Sequence, residues 1–270
     1  MINVSGKLMS LSEPRVMGIL NLTPDSFYAE SRRQTAEEVE AQVRRMLDEG
    51  ADIIDVGACS TRPGSEPATE SEEMARLEAG LKVVRRVAPD AVLSVDTFRS
   101  SVARRCVEEF GVDIVNDISG GEADTEMFPT VVQLGVPYIL THSEKLSPDA
   151  DVMTEVLQFF ARKSQQLHEM GLNDIILDPG FGFGKTLEQN YVLMNRLEDF
   201  HVLGLPLLVG ISRKSMIYRL LGTSPQEALN GTTTLNTVAL MKRAAILRVH
   251  DVREAVETIK ITRQLCSNLA

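Results

Sequence analysis

The segment EMARLEAGLKVVRRVAPDAVLSVD, residues 73–96, contains the repeating unit of the fold. Its first half carries apolar residues at helical spacing: Met74, Leu77, Leu81 and Val84. Pro89 follows where that helix should end. The run Val92–Val95 is short and rich in apolar residues, which is typical of a strand buried on both faces of a parallel sheet. The segment therefore predicts a helix followed by a buried parallel strand.

Apolar runs of the same kind recur along the whole chain. They are Val16–Leu20, Ile53–Val56, Val92–Val95, Ile114–Val115, Tyr138–Leu140, Ile175–Leu177, Leu207–Val209 and Ile246–Val249. Helical patterns lie between them, and one of these begins with the capping residues Ser224, Pro225 and Glu227. Eight strand–helix units predict an α/β fold, a (β/α)8 TIM barrel that forms a single domain over residues 1–270. A doubly wound open sheet is the alternative, but it usually has about five or six strands.

The first 13 residues precede the first barrel strand. Ser5 and Gly6 lie in the middle of the segment Ile2–Ser10, and small turn-forming residues at that position predict a short N-terminal hairpin.

The composition indicates a soluble globular chain. Hydrophobic residues make up 43% of it and charged residues 24%, with a formal net charge of −10. That charge disfavours nucleic acid and anionic membranes as partners. The cysteines Cys59, Cys106 and Cys266 are far apart, and the sequence has neither a signal-peptide pattern nor an apolar run of membrane length. We therefore expect a cytoplasmic protein without disulfides.

Polar residues follow the predicted strands at their carboxyl ends, where a barrel carries its active site. They are Asn21, Asp55, Thr61, Arg62, Asp96, Asn116, His142, Asp178, Ser212–Lys214, Arg248 and His250. Asp, Asn and Lys are poor strand formers, so β-propensity does not explain their positions. Each residue alone is typical of a loop cap or a turn, but together they predict a pocket.

The predicted pocket has two chemical halves. Asp96, Asn116 and Asp178 offer two carboxylates and one amide, which suit a flat heterocycle rich in N–H groups. A second set offers donors and positive charge for phosphate oxygens: Thr61, Arg62, Arg248 and His250. Lys214 can serve either half.

Structural roles are the alternative for several of these residues. Asp96 and Asp178 are also suited to capping helices, and Arg248 is suited to an ion pair with Asp251. These alternatives stay open at the level of sequence.

The glycine-rich segment Gly180–Thr186 is similar to a phosphate-binding P-loop, but Pro179 stands where that motif needs glycine. We interpret it as a lid loop whose Phe183 stacks on a ring. The sequence carries no Ser–His–Asp pattern or G-x-S-x-G motif, so it predicts chemistry without a covalent nucleophile.

Seven blocks of sequence carry a resemblance that spans nearly the whole chain. They are Ile19–Phe27, Asp52–Gly57 with Ser60–Gly64, Ser94–Asp96, Asn116–Asp117, Ile176–Gly182, Ser212–Lys214 and Arg248–Val252. In this order they resemble the dihydropteroate synthase family of pterin-binding enzymes. The resemblance implies a barrel transferase of folate biosynthesis, which joins 6-hydroxymethyl-7,8-dihydropterin pyrophosphate to 4-aminobenzoate and releases pyrophosphate. It further implies Mg²⁺ as cofactor, sulfonamides as competitors of the aminobenzoate, and a homodimer built on the late helices.

The resemblance also implies a role for each site residue. It assigns the pterin to Asp96, Asn116, Asp178 and Lys214. It assigns the pyrophosphate to Asn21, Thr61, Arg248 and His250, with Asn21 also binding the metal. It assigns the aminobenzoate to Phe27, Arg62, Pro63, Phe183 and Ser215. The predicted catalytic residues are Asp96, Asp178, Lys214, Arg248 and His250, and we expect a dissociative route in which the C–O bond breaks before the arylamine attacks.

The chain departs from the usual family pattern at three places. Tyr28–Ser31 replaces a Ser-Asp-Gly-Gly run, Ala58 replaces glycine or proline, and Thr141–Glu144 replaces a Met-His-Met segment. Two alternatives remain. One is a barrel similar to methyltetrahydrofolate–corrinoid methyltransferases, which has no use for the blocks Ser212–Lys214 and Arg248–Val252. The other is a pterin-binding paralogue without catalytic activity.

Overall fold

Eight parallel strands form the central sheet of the protein. The computed structural model describes residues 1–23, 32–59 and 68–267. The strands in chain order are β1 (Ile2–Val4), β2 (Lys7–Met9), β3 (Arg15–Asn21), β4 (Ile53–Gly57), β5 (Val92–Asp96), β6 (Ile114–Asp117), β7 (Tyr138–Thr141), β8 (Ile175–Asp178), β9 (Leu208–Val209) and β10 (Ile246–Val249). The sheet has the order β8-β7-β6-β5-β4-β3-β10-β9, and a parallel bridge between Leu177 and Leu207 joins its two ends. The predicted barrel is confirmed, and each predicted apolar run contributes a strand.

Helices alternate with these strands. They are α1 (Arg32–Glu49), α2 (Glu70–Val87), α3 (Ser100–Phe110), α4 (Met127–Leu134), α5 (Val152–Glu169), α6 (Leu187–Asn195), α7 (Ser215–Leu221), α8 (Leu229–Met241) and α9 (Val252–Ser267). A capping box between Thr69 and Glu72 begins α2, because each residue satisfies a backbone N–H near the other. The similar Ser224 signal opens a 3₁₀ turn, Pro225–Glu227, and the α-helix begins only at Leu229. In the described ranges, no helix combines the length and the apolar character needed to cross a bilayer.

The apolar core has an inner and an outer part. The inner part fills the barrel and consists of Ile2, Val4, Met17, Ile53, Ile114, Ile139, Ile176, Leu208, Ala245 and Ile246. The outer part packs between the strands and the helices, and it includes Tyr138 and Leu140 on either side of Ile139. Since side chains alternate along a strand, a residue two positions after an inner residue also faces the barrel axis.

The N-terminal hairpin closes the base of the barrel and confirms the prediction. β1 and β2 pair antiparallel, and their turn places Gly6 at a φ of +79°, which glycine adopts without strain. Ile2 and Val4 insert into the inner core. The backbone N–H of Asn3 donates to Asp174 at 2.9 Å, just before β8 begins. The hairpin therefore lies at the amino ends of the strands and leaves their carboxyl ends open.

Candidate active site

Polar side chains line the barrel interior at the carboxyl ends of the strands. This set, here called the polar ring, consists of Asp55, Ser94, Asp96, Asn116, Thr141, Asp178 and Arg248. The side chains of this ring point to the barrel axis because side chains alternate between the two faces of a strand. Ile139 and Ile176 belong to the inner core, and two residues after them come Thr141 and Asp178. Thr141 and Asp178 are also partners in the β7–β8 register and therefore share a face. Five strands thus converge with β10 on one end of the barrel interior, here called the cavity, as the sequence predicts.

Arg248 connects two carboxylates of the polar ring. Its Nε donates to Asp55 Oδ2 at 2.6 Å, and its Nη2 donates to Asp96 Oδ2 at 2.6 Å. Asn116 Nδ2 donates to the same Asp55 oxygen at 3.1 Å. Because an ionised carboxylate only accepts hydrogen bonds, Asp55 orients the Asn116 amide with its nitrogen toward the carboxylate. Arg248 therefore contacts both halves of the pocket, although the sequence predicts them as two separate sets of residues.

The structural alternatives for these residues are wrong. Asp251 accepts from Arg213 at 2.7 Å and forms no pair with the arginine of the polar ring. The helix α3, which follows Asp96, has no side-chain cap. Asp178 accepts from the backbone N–H of Gly180 at 2.8 Å, which orders the following turn, while α6 is capped by another residue.

Burial changes the acid–base properties of the site. It raises the pKa of Asp96 against the attraction of Arg248, and it raises the pKa of Asp178 against that of Lys214. Burial lowers the pKa of Lys214 to about 8, although Asp178 opposes the change. Burial alone would lower the pKa of Arg248, but Asp55 and Asp96 raise it above the ordinary value. The cavity thus joins buried acceptors to a permanently charged guanidinium.

The glycine-rich segment after β8 packs closely against the end of β7. Gly180 has a φ of +69°, and a Cβ there would lie 1.9 Å from the carbonyl oxygen of His142, so the position requires glycine. Lys185 Nζ donates to three carbonyl oxygens, those of His142 at 2.9 Å, Gly180 at 3.1 Å and Phe183 at 3.1 Å. This lysine is turned into the loop, whereas a P-loop lysine reaches toward phosphates. The position of Lys185 therefore agrees with the prediction that this segment is not a phosphate-binding P-loop.

Lys214 and its neighbours complete the mouth of the cavity. Lys214 Nζ donates to the carbonyl oxygen of Phe181 at 2.7 Å and lies 4.4 Å from the centre of the Phe183 ring. Ser215 is the first residue of α7. The exposed ring of His250 places Nδ1 3.0 Å from Ser212 Oγ. The blocks Ser212–Lys214 and Arg248–Val252 thereby meet at the opening, as expected of two blocks that follow the carboxyl ends of barrel strands.

The predicted site residues fall into two groups. Those placed at the carboxyl ends of the strands or in the loops that follow are Asn21, Asp96, Asn116, Asp178, Phe183, Lys214, Ser215, Arg248 and His250. Four others, Phe27, Thr61, Arg62 and Pro63, lie outside the described residues. Sequence reasoning missed a role for Asp55 and did not identify Ser94. Asp55 lies two residues after Ile53, and Ser94 lies two residues before Asp96. Because side chains alternate along a strand, this spacing is the signal that places both in the barrel interior.

Binding of a metal ion would require ligands from Asn21 and from the substrate. In residues 1–23, 32–59 and 68–267, no group of three or more His, Cys, Asp or Glu side chains is arranged to hold an ion. Asn21 ends β3 and offers a hard amide oxygen. Magnesium prefers such oxygen ligands and keeps several waters, so this donor set fits Mg²⁺ when phosphate oxygens complete the shell.

The fold and the site define an α/β-barrel enzyme whose cavity combines buried carboxylates and an amide with cationic groups. The model of the family "Pterin binding enzyme" matches residues 17–250. The dihydropteroate synthase of Escherichia coli (strain K12) is 38% identical over 273 residues, which cover 97% of this chain and 95% of the relative. This chain belongs to the dihydropteroate synthase family, and it is a transferase with dihydropteroate synthase activity in folate synthesis.

Solved structures agree over the same length. The dihydropteroate synthase of Xanthomonas albilineans with 4-aminobenzoic acid has a TM-score of 0.89 and 34% identity, covering 98% of this chain and 97% of that one. The Yersinia pestis enzyme in a sulfonamide drug complex has a TM-score of 0.89 and 38% identity, covering 98% of each chain. These relatives decide against the methyltransferase and the non-catalytic alternatives.

Proposed function

We propose that the polar ring binds the pterin of 6-hydroxymethyl-7,8-dihydropterin pyrophosphate. The observation that carries this proposal is the convergence of Asp96, Asn116 and Asp178 from three different strands on one cavity. Carboxylates accept pairs of N–H donors, and the ring presents such donors along one edge. Lys214 lies beside the same cavity and supplies a cation for the ring's oxygen.

The assignment is tested with Asp178→Ala and with Asp174→Ala as matched control. Asp174 precedes the same strand at the opposite end of the barrel. We expect Asp178→Ala to weaken pterin pyrophosphate binding in calorimetry by about 100-fold, since hydrogen bonds to a charged group are lost. The control should keep both binding and pyrophosphate release in a coupled assay. Unchanged affinity of the Asp178 variant would remove this residue from the site.

We further propose a dissociative reaction. The bond between the methylene carbon and the pyrophosphate oxygen breaks first, and its electron pair leaves with the oxygen. The aminobenzoate nitrogen then attacks the pterin-stabilised cation and loses a proton. Asp96 and Asp178 stabilise the cation, while Arg248 and His250 stabilise the charge on the leaving group. The route predicts slow pyrophosphate formation from the pterin substrate alone, and a complete lack of it would favour direct displacement.

The arginine is placed for this role. Its contacts with Asp55 and Asp96 use Nε and Nη2, and among the described residues Nη1 has no hydrogen-bond partner, so it remains for the pyrophosphate. Mg²⁺ held by Asn21 and phosphate oxygens would neutralise further charge on the leaving group. Thr61, outside the described residues, is proposed as an additional pyrophosphate ligand.

The aminobenzoate is assigned to the mouth, above the pterin. Phe183 and Ser215 both lie beside Lys214, one across the ring contact and one next in the chain. Phe27, Arg62 and Pro63 are proposed to complete this subsite. Since sulfonamides resemble aminobenzoate, we propose that they bind there as well and compete with it.

We propose a homodimer that uses the late helices. Large apolar side chains are exposed on them: Leu220 58%, Leu221 53%, Met241 50%, Ile261 64% and Leu265 54%. Exposed apolar residues on neighbouring helices are typical of a protein–protein interface. Light scattering should give twice the chain mass of 29.8 kDa. The cytoplasmic location stays a prediction, which cell fractionation would test.

A further inference from the structure

Two hydroxyl groups of the polar ring have no hydrogen-bond partner within the described residues. One belongs to Ser94, two residues before the end of β5, and the other to Thr141, at the very end of its strand. Thr141 ends β7 and is 1% exposed, and within the described part of the chain its buried Oγ1 makes no hydrogen bond. A buried hydroxyl without a partner destabilises the protein, because it has lost its hydrogen bonds to water. Such a group at the end of a barrel strand needs an explanation, and a bound ligand supplies one.

The Thr141 side chain points into the proposed pterin cavity. Ile139, two residues earlier, belongs to the inner core, whereas Leu140 packs outward against the helices. Thr141 also pairs with Asp178 in the register between β7 and β8. Partners in neighbouring parallel strands have side chains on the same face of the sheet. The hydroxyl therefore lies next to the carboxylate to which the ring's N–H donors are assigned.

We propose that Thr141 is a specificity-determining residue that hydrogen-bonds to the edge of the bound pterin beside Asp178. The inference rests on the proposed pterin site. In a 2-amino-4-oxopterin, the N–H groups that suit a carboxylate adjoin a carbonyl oxygen on the same edge. A hydroxyl both donates and accepts, so it can donate to this oxygen while the carboxylate takes the neighbouring N–H donors. The ring oxygen has two lone pairs, so it can accept from the Thr141 hydroxyl and from the Lys214 ammonium together.

The test is Thr141→Val, which removes the hydroxyl and keeps the branched shape. We expect the Kd for pterin pyrophosphate to rise about tenfold, since the ring oxygen loses one of its two hydrogen-bond donors. The KM for aminobenzoate should not change. The melting temperature of the unliganded protein should stay equal or rise, because an unsatisfied buried hydroxyl has been removed. Thr141→Ser keeps the hydroxyl and should keep the pterin affinity within about threefold.

Thr262 provides a matched control. It lies in α9, it is 4% exposed, and its Oγ1 is likewise buried without a partner among the described residues. Thr262→Val makes the same chemical change outside the barrel interior. It should affect the melting temperature in the same direction and leave the pterin affinity unaltered.

Wild-type pterin affinity in Thr141→Val would overturn the inference. It would also be overturned by a variant that loses thermal stability and binds both substrates less well by the same factor, because that pattern indicates a structural role. The proposed function is tested separately by Asp178→Ala. Unchanged pterin affinity in that variant would refute the pterin site, whereas weakened binding there with wild-type affinity in Thr141→Val would refute only this inference.

Discussion

Asp55 acts on the site through its neighbours. It is fully buried, and its Oδ2 accepts from both Arg248 and Asn116. The carboxylate thereby fixes a guanidinium and an amide in the directions that ligand binding needs. Partners of this kind matter because a site whose groups are free to rotate loses affinity and rate.

Asp55→Asn keeps the shape of this side chain and removes its charge. We expect kcat/KM for pterin pyrophosphate to fall by roughly 10- to 100-fold, or about 1.5–3 kcal/mol, since the bonds lost involve a charged group. The matched control is Asp113→Asn, a buried carboxylate that accepts from the Leu93 N–H near the amino ends of the strands. The control should lower the melting temperature and leave kcat/KM unchanged. Equal kinetics in the two variants would contradict the positioning role.

The lysine at the mouth makes ligand binding depend on pH. Burial lowers the pKa of Lys214 to about 8, so its ammonium is charged below that pH and neutral above it. The affinity for pterin pyrophosphate should therefore fall as pH rises through about 8. Lys214→Arg retains its charge and should shift the fall to higher pH. A pH profile of kcat/KM checks this, and an identical basic limb in both proteins would be inconsistent with it.

At this scale the sequence predicts residue types better than partners. Asp96, Asn116 and Asp178 could be assigned to a pocket because they are polar residues at the ends of apolar runs. The partner of Arg248 could not be predicted, since Asp251 is close in sequence and Asp55 lies 193 positions away. Such a contact depends on the order of strands around the barrel, which a local pattern does not contain.

Among the elements, the glycine-rich loop is the one that depends most on a single side chain. Three carbonyl oxygens accept from Lys185 Nζ, one of them from the neighbouring loop after β7. This clamp holds Phe183 and the turn that follows Asp178 against the end of the barrel. Buried carbonyl groups in loops need such donors when no strand or helix satisfies them.

Lys185→Met keeps the length of the clamp residue and removes its donors. We expect the free energy of unfolding to fall by roughly 2 kcal/mol or more, because buried carbonyl groups lose a charged partner. The KM for both substrates should rise with it. Exposed Lys145 lies in the adjacent loop, and Lys145→Met should change neither quantity. Denaturant unfolding and steady-state kinetics of the two variants decide the matter.

Element boundaries show where a local signal is insufficient. The sequence places a helix start at Ser224, but the capping box there closes a 3₁₀ turn and α8 follows only at Leu229. Conversely, α6 begins directly after the glycine-rich loop, and the Thr186–Gln189 capping box that begins it is a signal that the sequence contains. A cap marks the first turn of a helix, while packing decides how far that turn continues.

For the whole molecule, we expect one cooperative unfolding transition. The sheet passes from β8 around to β9, and the bridge between Leu177 and Leu207 returns it to β8. Because no strand can leave this closed sheet without breaking two sets of contacts, the chain should unfold as the single domain that the sequence predicts. Far- and near-ultraviolet circular dichroism should give the same midpoint. Separate midpoints would indicate two independent units.

The barrel was predictable because its strands are buried on both faces and its units repeat. The sequence could not reveal that Thr141 lacks a hydrogen-bond partner, since that depends on everything packed around it. Local composition therefore identified the cavity, and only the assembled barrel identified which of its atoms remain unsatisfied.

The hairpin at the amino ends of the strands has a consequence for the order in which the substrates bind. Ile2 and Val4 fill the inner core at the amino ends of the strands, so within the described residues ligands reach the polar ring from the carboxyl ends. If the pterin lies deeper than the aminobenzoate, as proposed, we expect the pterin to bind first, and an arylamine that binds first should block its entry. Both products should then leave by the carboxyl ends of the strands as well, with dihydropteroate formed beneath the arylamine position leaving last.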